Sequence, residues 1–145
     1  MVWKPHATVA AIVERDNAFL IVEELIEGER VFNQPAGHLE DGESLIQAVV
    51  REVKEETAWV FKPRAILGIY KWKHPTGHHT HIRTSFIGDV TDHDPAQVLD
   101  SPIVSADWYS RTDLLKMNLR SPMVMRNIDD YLQGREYSLG LLNDV

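Results

Sequence analysis

Cysteine is absent from all 145 residues, which removes disulfides, thiol nucleophiles and thiolate metal sites together. A chain of this kind fits a reducing compartment, and the cytoplasm is the expected location. Long hydrophobic runs are missing too. The apolar segment from Ala7 to Val13 stops at Glu14-Arg15-Asp16, too short to span a bilayer. The opening Met1-Val2-Trp3-Lys4-Pro5-His6 lacks the charged stretch and long apolar core of a secretion signal. Positive charge is scarce. Fifteen Lys and Arg stand against 22 Asp and Glu, a formal charge of -7, which argues against a nucleic-acid polymer or an anionic membrane as partner. Small anionic substrates stay open if cations bridge them. No internal repeat or low-complexity segment is visible.

What remains is an ordinary globular composition, 43% hydrophobic and 26% charged, long enough to bury a core without covalent staples. One domain over residues 1-145 is expected. The branched runs Thr8 to Val13 and Phe19 to Glu23, separated by Glu-Arg-Asp-Asn, predict a hairpin. A polar turn over residues 25–30 leads to a strand from Arg30 to Gln34, stopped by Pro35 and Gly37. Ile66 to Trp72, His81 to Val90 and Ile103 to Tyr109 read as further strands. From Ser44 onward, Leu45, Ile46, Val49, Val50 and Val53 follow helical spacing. A short helix is expected near 112–117, and Ser121-Pro122 opens another over about 121-133. Its buried stripe would be Val124, Ile128 and Tyr131 with Met125 and Leu132, and Gly134 would end it. The tail beyond should be loosely held.

The chemistry is concentrated in Gly37-His-Leu-Glu-Asp-Gly-Glu43, seven residues, and Arg51-Glu52-Val53-Lys54-Glu55-Glu56-Thr57-Ala58-Trp59. On a helix, Glu52 lies three and four positions from Glu55 and Glu56, so three like charges crowd one face. An ordinary solvated face would alternate Glu with Lys. A hard divalent cation with oxygen ligands would relieve the repulsion, and an open acidic edge suits a magnesium–phosphate complex.

This segment, about 37-59, resembles the signature of the Nudix hydrolases, G-x5-E-x7-R-E-U-x-E-E-x-G-U with U a bulky apolar residue. It departs only where Ala58 replaces the final glycine. Asn33-Gln34-Pro35-Ala36-Gly37-His38-Leu39-Glu40, Lys4-Pro5-His6 and Leu119-Arg120-Ser121-Pro122 extend the likeness to a bacterial phosphatase subgroup of that family. The resemblance implies an α/β (α+β) fold, an α/β/α sandwich with a mixed central sheet. It also implies a metal-dependent hydrolase that cleaves phosphoanhydrides of nucleoside di- and triphosphates, and thiamine-related pyrophosphates, releasing phosphate. The alternatives are a pyrophosphohydrolase that releases pyrophosphate and a non-catalytic ligand-sensing module. The cofactor is expected to be Mg2+, with Mn2+ an alternative, and the chain a monomer or homodimer.

By the same resemblance Glu52, Glu55 and Glu56 hold the metal with the Gly37 carbonyl, and Asp100 is either a further metal carboxylate or an ordinary loop residue. One glutamate must accept a proton from the attacking water; Glu52 is the first choice and Glu55 the second. Arg51 and Glu43 read as a brace between helix and loop. Arg83 could reach a substrate phosphate or make a cross-strand ion pair. His38 could touch phosphate or cap its loop. His74, His78, His79 and His81 crowd one hairpin, open to solvent or, less in keeping with zinc chemistry, a metal site. Trp3 and Trp72 offer stacking surfaces for a base or thiazole, whereas Trp59 and Trp108 read as core. Residues 25–30 and Asp89 to Pro102 could be lids or plain loops.

Overall fold

The computed structural model describes residues 2–145 and contains β1 (His6–Ile12), β2 (Glu14–Arg15), β3 (Ala18–Ile26), β4 (Glu29–Asn33), β5 (Ala36–His38), α1 (Leu45–Thr57), β6 (Val60–Lys73), β7 (Thr80–Thr91), β8 (Ile103–Ser110), α2 (Arg111–Leu114) and α3 (Met123–Leu132). The class is mixed α and β, as expected. The expected mixed sheet is present beside a second four-stranded sheet. One runs β5-β1-β7-β6, mixed because β1 and β7 are parallel; the other joins β2-β3-β4, with β8 paired to β3.

The predicted first hairpin is therefore corrected. Asp16 and Asn17, at φ 52 and 63, make a left-handed turn that pairs only β2 with the start of β3. β1 leaves for the other sheet, where residues Val9 to Ile12 are buried on both faces. Strand periodicity carries no information about the partner, so β1 and β3 looked adjacent. Residues 25–30 are a paired hairpin end, with Leu25 opposite Arg30 and Ile26 opposite Glu29 around Glu27-Gly28.

Strand alternation divides the core. Val9, Ala11, Phe86 and Ile66 face one way and pack with Val49 and Val53 of α1. Ile12, Ile87, Ala65 and Leu67 face the other way and pack with Val124 and Ile128 of α3. Leu132, placed in the α3 stripe by periodicity, is half exposed. The tail is anchored, contrary to expectation: Tyr137 exchanges backbone hydrogen bonds of 2.8 Å with Ile66, and Leu139 and Leu142 pack on the α1 side of the core. No helix is long and apolar enough to cross a membrane among the described residues.

Helix α1 begins in a capping box, with Gln47 N donating to Ser44 Oγ and Ser44 N donating to the Gln47 side chain. It ends at Ala58, which is left-handed at φ 64 and only 2% exposed. Glycine there would relieve about 1–2 kcal/mol of backbone strain. It would also lose a buried methyl worth about 0.8 kcal/mol and loosen the unfolded chain by a similar amount. Ala58→Gly should consequently move the melting temperature by less than about 4 °C, measured by thermal denaturation. A large gain would mean that the methyl packs poorly.

Candidate active site

A cleft of about 510 Å³ opens between the two sheets and reaches from the carboxylates of α1 to the far end of β7. β5 is the edge strand of its sheet, so α1 can bring its acidic edge round to the cleft. Glu52 lies so close to the α-carbon of Gly37 that a Cβ at position 37 would collide with its carboxylate. The glycine is thus required by close approach. Glu56 accepts a hydrogen bond from Ala36 N at 2.9 Å. Asp100, whose backbone N donates to the Glu55 carbonyl at 3.0 Å, comes to the same end of the cleft.

Arg51 occupies the middle of this acidic group. Its Nε and Nη2 grip the two oxygens of Glu43 at 3.0 and 2.6 Å. Nη2 also donates to the His38 carbonyl at 3.0 Å, while Nη1 donates to Glu52 at 2.8 Å and Glu55 at 3.2 Å. The fork therefore ties α1 to the loop that follows β5, and offsets part of the repulsion among the carboxylates. No three acidic, histidine or cysteine side chains are already drawn around one point among the described residues.

Electrostatics show the cost of this crowding. Burial pushes the Glu56 carboxyl up to about 9, with Glu52, Glu24 and Asp100 acting in the same direction against the Ala36 hydrogen bond. Burial also raises Glu52 and Glu55, with Arg51 opposing it in both cases. Glu43 goes the other way, lowered first by its hydrogen bond from Arg51. An all-oxygen donor set of raised, mutually repelling carboxylates is what a hard divalent cation fits.

Arg83 is 4% exposed on the cleft floor. Its terminal nitrogens donate to Gln34 at 3.0 Å, Asn33 at 3.1 Å and Asn127 at 3.3 Å. The cross-strand ion pair, one of the two roles expected for it, is not formed among the described residues; Nη1 and Nη2 are engaged by these amides, while the buried Nε has no partner. Burial pulls it down to about 10, with Glu24 and Glu56 opposing.

The histidine-rich hairpin separates into two groups. His74 Nδ1 accepts from Thr76 N and Gly77 N, organising the turn, and His78 is exposed. His79 instead joins His6, which joins His38, through ring-nitrogen contacts of 3.0 and 3.2 Å, and His81 packs beside them. Burial lowers His38 and His81, with His6 next in each case. His38, His81 and Trp72 line the cleft. Trp3 is exposed. Trp59 and Trp108 pack at the margin of the core with the Arg15 guanidinium 5.3 Å from each ring.

The sequence reading missed the Arg120–Glu24 pair. Glu24 is buried within β3, while Arg120 lines the cleft with a side chain 46% exposed. The available signal was an acid inside the apolar run of β3 facing a distant arginine. Of the guanidiniums in the cleft, Arg120 is the one neither encircled by carboxylates nor buried. The loop from Asp89 to Pro102 is strapped to the end of α1, with Asp94 N on the Ala58 carbonyl at 3.0 Å, and its last residues border the cleft.

The NUDIX domain family model matches residues 4–128, and with the acidic box in place on α1, the chain belongs to the Nudix family and is a Nudix hydrolase. It is 39% identical over 143 residues to the phosphatase NudJ of Shigella boydii, covering 98% of this chain and 93% of that protein. The Escherichia coli phosphatase NudJ is 38% identical with the same coverage. A solved Nudix hydrolase from Nitrosomonas europaea superposes with a TM-score of 0.95 at 44% identity, covering 98% of each chain.

Proposed function

We propose that this hydrolase is divalent-cation-dependent and cleaves the phosphoanhydride of nucleoside di- and triphosphates and of thiamine-related pyrophosphates, releasing phosphate. The observation that carries this reading is the meeting of Glu52, Glu55, Glu56 and Asp100 with Gly37 at one end of a cleft of nucleotide size. The likeness to the NudJ phosphatases over nearly the whole chain supports the choice of product.

Glu52, Glu55 and Glu56, with the Gly37 carbonyl and Asp100, would hold Mg2+ or Mn2+. Such an ion supplies charge neutralisation at the phosphates and acidifies the attacking water. Glu52, whose carboxylate lies against Gly37 and is held by Arg51 Nη1 at 2.8 Å, would accept the proton from that water. Glu55 is the second candidate. Arg51 and Glu43 hold the Glu52 carboxylate and the loop after β5 in register. Arg120 and His38 face the substrate phosphates, and Arg83 positions Asn33 and Gln34 beneath them.

Phosphorus NMR of the products from ADP, ATP and thiamine diphosphate tests the reading directly. Inorganic phosphate should appear from each, and the reaction should stop with chelator and resume when magnesium is restored. Pyrophosphate released from ATP as the sole product would favour the pyrophosphohydrolase. Full activity in excess chelator would remove the metal from the scheme.

A further inference from the structure

Arg120 uses one nitrogen of its guanidinium within the protein, and the residue that holds it there is a buried acid. Nη1 donates to Glu24, which makes no other side-chain hydrogen bond among the described residues. Nε and Nη2 of Arg120 make none among them, and the side chain is half exposed where it lines the cleft.

Both residues are placed by backbone. Glu24 pairs Val31 of β4, and β3 shifts register against β8 between Glu23 and Glu24, the kind of bulge that re-aims a side chain. Arg120 N donates to the Phe32 carbonyl at 2.8 Å and Phe32 N to the Asn118 carbonyl at 2.9 Å, so the segment bearing Arg120 is clipped to the residue after Val31. This pair belongs to the β2-β3-β4 side of the cleft, whereas Gly37 lies on β5 of the other sheet.

A buried carboxylate on the wall of a cleft for polyanions works against binding unless a cation covers it. Glu24 does act across the cleft, on Glu56 and on Arg83. Drawing Arg120 away to a phosphate would leave that charge buried and unpaired, which is costly. A guanidinium need not choose. It has two hydrogen-bonding edges, and can keep an acid on one while gripping a phosphate with the other.

We infer that Glu24 is a positioning residue for the reaction, fixing Arg120 so that its Nε–Nη2 edge holds the substrate phosphate on the wall opposite the box. The inference rests on the hydrolase reading above and adds the acid that makes its arginine a defined ligand. An ion pair that only joins β3 to the segment before α3 would have different consequences.

Steady-state kinetics with ADP and magnesium compares Glu24→Ala in the wild type and in an Arg120→Ala background. Alone, Glu24→Ala should raise KM about tenfold with little change in kcat, since a loose arginine must be ordered at each encounter. In Arg120→Ala the same substitution should lower KM, because Glu24 is there an unpaired negative charge beside the phosphates. Removing the acid thus changes sign with the arginine. Arg120→Lys keeps Glu24 paired but lacks the second edge, so KM should rise nearly as far as in Arg120→Ala while the melting temperature stays close to wild type. An effect of Glu24→Ala with the same sign in both backgrounds, or on melting temperature alone, overturns the positioning role, and so does a wild-type KM in Arg120→Lys. If the alanine variants do not fold, the lysine variant decides by itself. Wild-type protein inactive on ADP, ATP and thiamine diphosphate overturns the hydrolase reading; ADP binding in chelator, measured by calorimetry on the same variants, then decides the positioning role by the same change of sign.

Discussion

Glu56→Gln should lower kcat/KM by about 100-fold or more, a loss of ~3 kcal/mol in transition-state stabilisation, and at the same time stabilise the metal-free protein at alkaline pH. The amide keeps the size of the side chain and can still accept the Ala36 hydrogen bond, but it cannot supply negative charge to a cation. The stability effect follows from the carboxyl raised to about 9 from an ordinary value of 4.5. A group raised in the folded state contributes stability that is fully present below 4.5 and is lost as the pH climbs through about 9. Glutamine does not titrate. The melting temperature of the variant minus that of wild type, in chelator, should therefore rise steadily between pH 5 and pH 9. Taking the difference cancels the same-direction contributions of Glu52 and Glu55. Magnesium added at pH 8 should stabilise wild type more than the variant. Wild-type turnover would remove Glu56 from the ligand set, and a pH-independent difference would mean that its carboxyl is not raised.

Arg51→Ala is expected to cost more than Glu43→Ala, and the double variant little more than Arg51→Ala alone. Glu43 acts through Arg51, whereas Arg51 also holds Glu52, Glu55 and the His38 carbonyl. Hydrogen bonds between charged groups contribute about 1.5–3 kcal/mol each. Loss of kcat/KM should be roughly tenfold for Glu43→Ala and roughly 30- to 100-fold for Arg51→Ala. Within the double-mutant cycle the two losses should be strongly non-additive. All three nitrogens of the guanidinium are already engaged in the cluster, which leaves no open edge for a phosphate. Were Arg51 nonetheless a direct phosphate ligand, the two penalties would add and the KM would carry most of the Arg51 loss.

The box was legible because its parts are close in sequence. Helical spacing aligns Glu52, Glu55 and Glu56 without reference to the rest of the chain, and the loop from Gly37 to Glu43 is short enough for a bidentate grip on Arg51. The start of α1 at Ser44 and the stop of α3 at Gly134 follow from local capping preferences. Even the left-handed Ala58 could be anticipated from the one departure in the pattern.

Other features depend on which strands meet, and strand periodicity is silent on that point. β1 lies parallel to β7 although β3 follows it in sequence, and that pairing brings His6 beside His79 and His81. Arg83 is buried under three amides supplied by the segments before β5 and by α3, up to 50 residues away, so its sequence neighbours could suggest only a surface fork. Arg120 and Glu24 are 96 positions apart. The acidic end of the cleft, Asp100 apart, was thus determined by sequence itself, through contacts a single helix and its preceding loop can make. The opposite wall, with Trp72, His81 and Arg120, was decided by tertiary structure, because only the closure of two sheets against each other brings those strands and loops to one cavity.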